Sequence, residues 1–468
     1  MYKDRLKEYF LAHKDALLAD VSTLVAINSE DMPPEPGMPY GRGPAECLAA
    51  AQTMMEGYGF PVTNYDNYVI AADFGPAPRK LDILAHLDVV PAGEGWTVTD
   101  PFTPKIVDGR IYGRGTCDDK GPALCALYAM RAIKELGIPL NSGVRLILGS
   151  NEECGSGDLV HYFAKEVSAP MTFSPDADYP VINVEKGMLR STFTAQLPTD
   201  EPLPRLASFH SGTVANVVPD RAVALVEGLD IEVIEEAAKS SMAKVDVQVT
   251  CTAADNGVSI QAKGRNAHAS TPDRGENALT ALVAFLAQLP LADSKTTQAF
   301  QSLAKLFPHG DFHGAALGVA LEEEVAGKTT LTLDILNLAD GKLKGVSDSR
   351  VCLAGTDENT TAVIAAKLAE AGFTPDPDMA MIPPHHVPAD SELVQALLKV
   401  YTDVTGKEGK PIAIGGGTYV HHIDNGVAFG CMVPEVDNHL HGADEFMVID
   451  AMLESCLIFA QAIIALCG

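Results

Sequence analysis

Basic residues are scarce in this sequence. Its 468 residues carry 34 Lys and Arg against 62 Asp and Glu, a formal net charge of -28 at pH 7. Nucleic acids and anionic membranes are gripped by basic patches, so neither is an expected partner. A disulfide framework is missing too. The nine cysteines are odd in number and scattered, which reads as reduced, mostly buried thiols of a cytosolic protein. The stretch MYKDRLKEYFLAHKDALLADVSTLVAI mixes charge into an amphipathic pattern and offers no apolar signal core. The most apolar run, SCLIFAQAIIALCG, is too short to span a bilayer and is expected to form a buried core helix. Together these absences predict a soluble, cytoplasmic protein.

What is present fits a globular chain, with 47% hydrophobic and 21% charged residues. The length calls for two or three domains. Helix and strand signals alternate through the first third. A helix is expected from about Ala45 to Tyr58, strands near PVTNYDNYVIAAD and LDILAHLD, and a hairpin turning at Asp108-Gly109. A helix from about Pro122 to Leu136 then precedes the strands VRLILGS and MTFS, with a short helix near Leu159 between them. Strands separated by helices imply an α/β domain with a largely parallel sheet. From about Lys186 the texture changes to a second α/β module, including a helix over 231–243 and the strand TTLTLDILNLA. The proline-rich stretch PDPDMAMIPPHHVPAD is a hinge candidate, after which the first texture resumes.

Ligands in open α/β sheets gather beyond the carboxyl ends of the strands. Here LDILA runs into His86-Leu87-Asp88, VRLILGS into Asn151-Glu152-Glu153, and MTFS into Pro175-Asp176. His86 and Asp88 share a strand face, so Asp88 can accept from the imidazole of a metal-bound His86. Glu152 and Glu153 diverge, so one can ligate while the other acts as base. The loop GRGTCDDKGP mimics a phosphate cradle, but Pro122 follows the Lys-Gly pair where Ser or Thr is required. Asp118 and Asp119 would also repel a phosphate. A carboxylate offering both oxygens to two cations fits better, with Asp118 as the candidate bridge. In DNHLHGADE either His439 or His441 can ligate, whereas the pairs His385-His386 and His421-His422 read as loop histidines.

In order, HLDVVPAGEGW, GRGTCDDKGP, NEECGSGD, SPDADYP and HGADE resemble motifs of the ArgE/DapE/carboxypeptidase G-type di-metal peptidases. The likeness is closest to the bacterial dipeptidase V branch (Xaa-His dipeptidase, carnosinase-like) and covers essentially the whole chain. It implies a mixed-sheet α/β catalytic domain in two parts, 1–185 and 385–468, with an inserted α/β lid domain over 186–384. It implies two divalent metal ions. His86, Asp118 and Asp176 would hold one, and Asp118, Glu153 and His441 the other. Zinc is the expected ion, and manganese or cobalt suits the same ligands. The resemblance also implies a cis Asp118–Asp119 peptide bond, Asp88 as the residue that orients His86, and Glu152 as general base. His268 in GRNAHASTP would stabilise the oxyanion, and Asn216, Arg350 and Gly416 would grip the substrate.

The implied reaction is hydrolysis of the amide bond of a small unblocked dipeptide, Xaa-His or another, by a monomer. An N-acyl- or N-succinyl-amino-acid amidase is the alternative with the same metals. A binding protein with a dead site would not need Glu152, and a di-metal phosphoesterase would not need His268 or Arg350. This sequence departs from its relatives in two places. Tyr419-Val420-His421-His422 stands where they carry an arginine after GGGTY, and ILNLADGKLKGVSDS is longer than the expected pattern.

Overall fold

The computed structural model describes residues 2–242 and 245–468, so Ala243 and Lys244 lie outside the described residues. The helix expected over 231–243 is seen as Ile231–Ser241, and its expected last residue, Ala243, falls outside that description. The chain divides into two compact units. One holds the chain through Val184 together with His386–Ile412 and Gly417–Gly468, and the other holds Glu185–His385 and Ala413–Gly416. The stretch Ala413–Gly416 thus packs with the inserted unit. Gly415 lies so close to Ser270 that an added Cβ would collide with the serine.

In the first unit the strands lie in the order Val62–Tyr65, Val69–Phe74, Gly143–Gly149, Arg79–His86, Met171–Ser174, Gly426–Ala428 and Val181–Glu185. The centre is parallel: Arg79–His86 runs with both Gly143–Gly149 and Met171–Ser174, and Gly426–Ala428 runs with the latter. The edges are antiparallel, so the sheet is mixed rather than largely parallel. A short hairpin explains one edge. Asp66 and Asn67 both take positive φ between Val62–Tyr65 and Val69–Phe74, and so tight a turn reverses the chain.

Both faces of the central strands are covered. Leu81, Ile83 and Ala85 pack among helices that include Lys120–Glu135 and Ile449–Cys467, while Leu84 and Ile147 meet Leu159, Tyr162 and Tyr419 on the other side. Burial on both faces explains why these strands read as unbroken apolar runs. The helix Ile449–Cys467 is longer than the run read from sequence and is long and apolar enough to cross a membrane. Most of it is nonetheless buried in this core, with Phe459 against Phe173 and Phe429.

Two tertiary features bring the chain's separate motifs together. Phe446–Val448 adds antiparallel to Arg110–Tyr112, itself hairpinned to Lys105–Val107 through Asp108 and Gly109. This places HGADE beside GRGTCDD. Glu445 then locks the two loops. Its Oε1 accepts the N–H groups of Gly115 and Cys117, each at 3.0 Å, and its Oε2 accepts Arg114 Nη1 at 2.5 Å. Arg114 also donates to the His441 carbonyl at 3.2 Å. On the other flank the buried Lys120 ammonium donates to the carbonyls of Leu24 and Ile27 (3.0 and 2.8 Å) at the end of the helix Lys14–Val25, where the helix dipole favours a cation.

The inserted unit is built on an eight-stranded sheet, antiparallel in its pairings and packed against Ala278–Leu286 and other helices. The sequence stretch that departs from the family pattern is part of a long hairpin, Thr330–Ala339 with Lys342–Val351, turning at Asp340 and Gly341. Its register slips between Leu333 and Ile335, so Asp334 is the extra residue of a β-bulge.

The Glu445 clamp generates a stability prediction. Glu445→Ala leaves the Arg114 guanidinium buried without its counter-charge and is expected to cost about 3–5 kcal/mol. Denaturant unfolding followed by tyrosine fluorescence measures it. A loss below about 0.5 kcal/mol, the range of ordinary surface substitutions, would show that the clamp is dispensable.

Candidate active site

The carboxyl ends of the central strands and two loops place their polar side chains together in the first unit. His86 is fully buried at the end of its strand. Its Nε2 lies 3.0 Å from Asp118 Oδ1 and 3.5 Å from Asp176 Oδ2. The other Asp118 oxygen, Oδ2, is 2.9 Å from Nε2 of His441, which in turn stands 3.5 Å from Glu153 Oε1. A single carboxylate therefore sits between two imidazoles, one oxygen toward each. His439, the other histidine of the motif, is exposed and set edge-on to Phe446 at 5.8 Å.

The donor set fits divalent cations. Ligand-type atoms of His86, Asp118 and Glu153 lie within 4.8 Å of one another, as do those of His86, Glu152 and Asp176. His86 Nε2 and Glu153 Oε1 are buried without a hydrogen-bond partner. Buried polar atoms left unpaired are expensive, and imidazole and carboxylate donors aimed at a common space are relieved by a cation.

Protonation behaviour reflects the crowding. Burial opposes the charge on Asp118, but the His441 and His86 imidazoles beside it hold it well below the usual carboxylate range. Burial and the Asp118 charge push Asp176 up to about 7 against the pull of His86. Burial also raises Glu152 well above its ordinary value, reinforced by Asp176, Glu153 and Asp118 and opposed by the His86 charge. The neighbouring Asp118 and Glu153 carboxylates push His441 up to about 11 despite burial.

Asp88 performs a task that spacing alone did not reveal. The His86 Nδ1 atom lies 3.0 Å from the Asp88 carbonyl oxygen, and 3.4 Å from its Oδ1. The carboxylate oxygens accept the backbone N–H groups of Glu152 and Glu153, each at 3.1 Å. Asp88 thus orients the imidazole with its main chain and holds the Glu152–Glu153 turn with its side chain. The Asp118–Asp119 peptide is cis. Asp119 faces away from the cluster's centre, accepting the His86 N–H at 3.1 Å with Oδ2.

The remaining predicted residues lie in the inserted unit and are near one another there. Asn216 (φ 77°) donates its N–H to Asp334 Oδ2 at 2.9 Å and accepts from Ala269 N at 2.8 Å. His268 pairs with Val217, and its Nδ1 meets Ser270 Oγ at 2.7 Å. Arg350 is buried. Its fork rests on Asp348 at 2.7 and 3.3 Å, and Nη1 donates to the Gly415 carbonyl at 2.7 Å, next to Gly416. Asp334 is buried, and burial with the Asp348 charge raises it to about 8.

Sequence reasoning missed the acids that serve as clamps. Glu445 and Asp158 both stand inside recognised motifs, but an acid beside a ligand reads as a solvated turn. For Asp158 the signal was Gly149, where a Cβ would collide with its Oδ2.

Residues 83–465 match the family model described as Peptidase family M20/M25/M40. A beta-Ala-Xaa dipeptidase of Lactobacillus delbrueckii subsp. lactis is 35% identical over 461 residues, which cover 98% of this chain and 97% of that protein. Among solved structures, human carnosine dipeptidase 1 is similar with a TM-score of 0.61 at 18% identity, covering 100% of this chain and 99% of that one. The dipeptidase Dug1p of Saccharomyces cerevisiae has a TM-score of 0.60 at 13% identity, with 99% and 98% covered. The two structures share the fold, and the ordered motifs and the full-length sequence match place the ligand cluster in a peptidase: the chain belongs to Peptidase family M20/M25/M40.

Proposed function

We propose that the protein is a metal-dependent dipeptidase that hydrolyses small unblocked dipeptides, Xaa-His among them. The carrying observation is the Asp118 carboxylate set between His86 and His441, at 3.0 and 2.9 Å, with Asp176, Glu153 and Glu152 around it. Similarity to a protein named beta-Ala-Xaa dipeptidase supports the substrate class. His86, Asp118 and Asp176 would hold one cation, and Asp118, Glu153 and His441 a second, with zinc expected and manganese or cobalt suited to the same donors. Two such cations, when bound, supply Lewis acidity to the scissile carbonyl and to the attacking water.

The protein's own residues do the rest. Glu152 takes a proton from the attacking water and passes it to the leaving amine. Asp88 fixes the turn that carries this base by holding both of its N–H groups. His268 is the proposed donor to the oxyanion, a role that supplies roughly 3–4 kcal/mol per donor. Asn216, Arg350 and Gly416 are the proposed grips on the substrate, with Asp348 setting the plane of the Arg350 fork. The inserted unit serves as the lid in this reading. A monomer in the cytoplasm is the proposed setting, in keeping with nine unpaired cysteines among the described residues.

Hydrolysis of dipeptides, tripeptides and N-acyl amino acids by the zinc- and manganese-loaded protein tests the reading. Dipeptide cleavage is expected, and Glu152→Ala is expected to lower kcat by about 10²–10⁴. Cleavage confined to acyl amino acids would replace the dipeptidase by the amidase. Unchanged kcat in Glu152→Ala would remove the proposed base.

Metal content gives an independent measure. Dialysis against a chelator is expected to abolish activity and zinc to restore it. His441→Ala is expected to lower bound zinc from two ions per chain to one, measured by elemental analysis. Two ions retained in His441→Ala would contradict the ligand assignment.

A further inference from the structure

Beneath the ligand cluster lies a buried pair that the proposed mechanism does not use. Asp158, at the start of the helix Gly157–Phe163, is fully buried. Its Oδ2 accepts the N–H groups of Ser150 at 2.6 Å and Asn151 at 3.0 Å, and the hydroxyl of Tyr419. Its Oδ1 accepts the N–H of Leu159 at 2.8 Å. These donors close on one buried carboxylate, and its partner Tyr419 packs in a cluster with Leu84, Ile147, Leu159 and Tyr162. A buried carboxylate survives there only when hydrogen-bonded in this way.

Tyr419 comes from the far end of the chain and is buried as well. Its ring stands edge-on to the His86 imidazole, with centroids 6.0 Å apart and planes at 87°. The strand end makes room for it, because a Cβ on Gly149 would collide with both the Tyr419 hydroxyl and Asp158 Oδ2. His86 and Gly149 are register partners across the two parallel strands. The pair therefore touches both strand ends at once, the one carrying His86 and the one leading into Glu152 and Glu153.

We propose that Tyr419 and Asp158 are positioning residues. Asp158 holds the backbone at Ser150–Asn151 immediately before the Glu152–Glu153 turn, and the Tyr419 hydroxyl ties that clamp to a ring braced against His86. Resting on the hydrolytic reading above, this assigns metal-ligand geometry to a residue that touches neither metal nor substrate. Outer partners of ligands commonly change metal affinity by about 10–100-fold. The loop is otherwise pinned by Asp88 at Glu152 and Glu153 and by its own closure, with Ser156 N–H to Asn151 O at 2.7 Å. Loss of the Tyr419 hydroxyl leaves those bonds in place and unties the Asp158 clamp from the ring braced against His86.

Tyr419→Phe tests the role, since it keeps the ring and removes only the donor. Zinc dissociation constants by competitive titration, kcat and KM on a dipeptide cleaved by the wild type, and Tm of the metal-free protein are measured together. Zinc affinity is expected to weaken about tenfold and kcat to fall by a similar factor. KM should stay within about twofold, and Tm within a few degrees. Asp158→Asn, which places an NH₂ or a single acceptor against two backbone N–H groups, should show the same pattern more strongly. Unchanged zinc affinity and kcat in Tyr419→Phe would overturn the proposal. So would a lowered Tm with neither of them altered, since the pair would then be only a structural brace. A wild-type chain that takes up no zinc would overturn the hydrolytic reading itself, an outcome read without either variant.

Discussion

The carboxylate of Glu445 accepts two backbone N–H groups and the Arg114 guanidinium with every partner buried, and this kind of capture recurs around the site. Asp88 takes the amides of Glu152 and Glu153, Asp158 those of Ser150 and Asn151, and Asp119 that of His86. Asp444 does the same, less buried, for Thr97 and Val98 at 2.8 and 2.9 Å. Loops that carry ligand side chains have no ladder of their own to satisfy their N–H groups, and buried amides must be paired. Carboxylates that point away from the cluster meet that need.

This division of labour explains how so many acids share one region. Those aimed at the centre, Asp118, Asp176, Glu152 and Glu153, crowd one another, and burial with mutual repulsion raises Asp176, Glu152 and Glu153. Burial raises the outer acids too, Glu445 against the pull of Arg114 and Asp158 to about 6 against its hydrogen-bond donors. Neighbouring acids thus take opposite roles according to which direction the backbone turns them. Asp118 and Asp119 show this most directly, one between two imidazoles and the next turned back to a strand amide.

The inserted unit follows the same rule on a different scaffold. The bulge at Asp334 turns its carboxylate toward the Asn216 amide, and Asp348 holds the Arg350 fork by an ion pair within one strand. A bulge is a one-residue addition that re-aims a side chain. The stretch ILNLADGKLKGVSDS that follows it continues the same hairpin without any added element.

Much of the first unit was legible from residue order. Apolar runs marked the central strands, and the histidine and acid pairs at their ends marked His86, Glu152, Glu153 and Asp176, because period and polarity are local properties of a chain. Asp108-Gly109 announced its hairpin for the same reason. The antiparallel edges, the side on which Gly415 packs, and the uses of Glu445, Asp158 and Tyr419 were not legible. Each depends on a partner from a distant part of the chain: Glu445 meets Arg114, and Tyr419 meets Asp158 and His86. An acid beside a ligand looks the same in sequence whether it faces a cation or a row of amides. The sequence by itself determined which side chains could bind and where strands would end. Only the tertiary structure decided what the outer acids hold, because that choice rests on which distant N–H groups burial leaves in need of a partner.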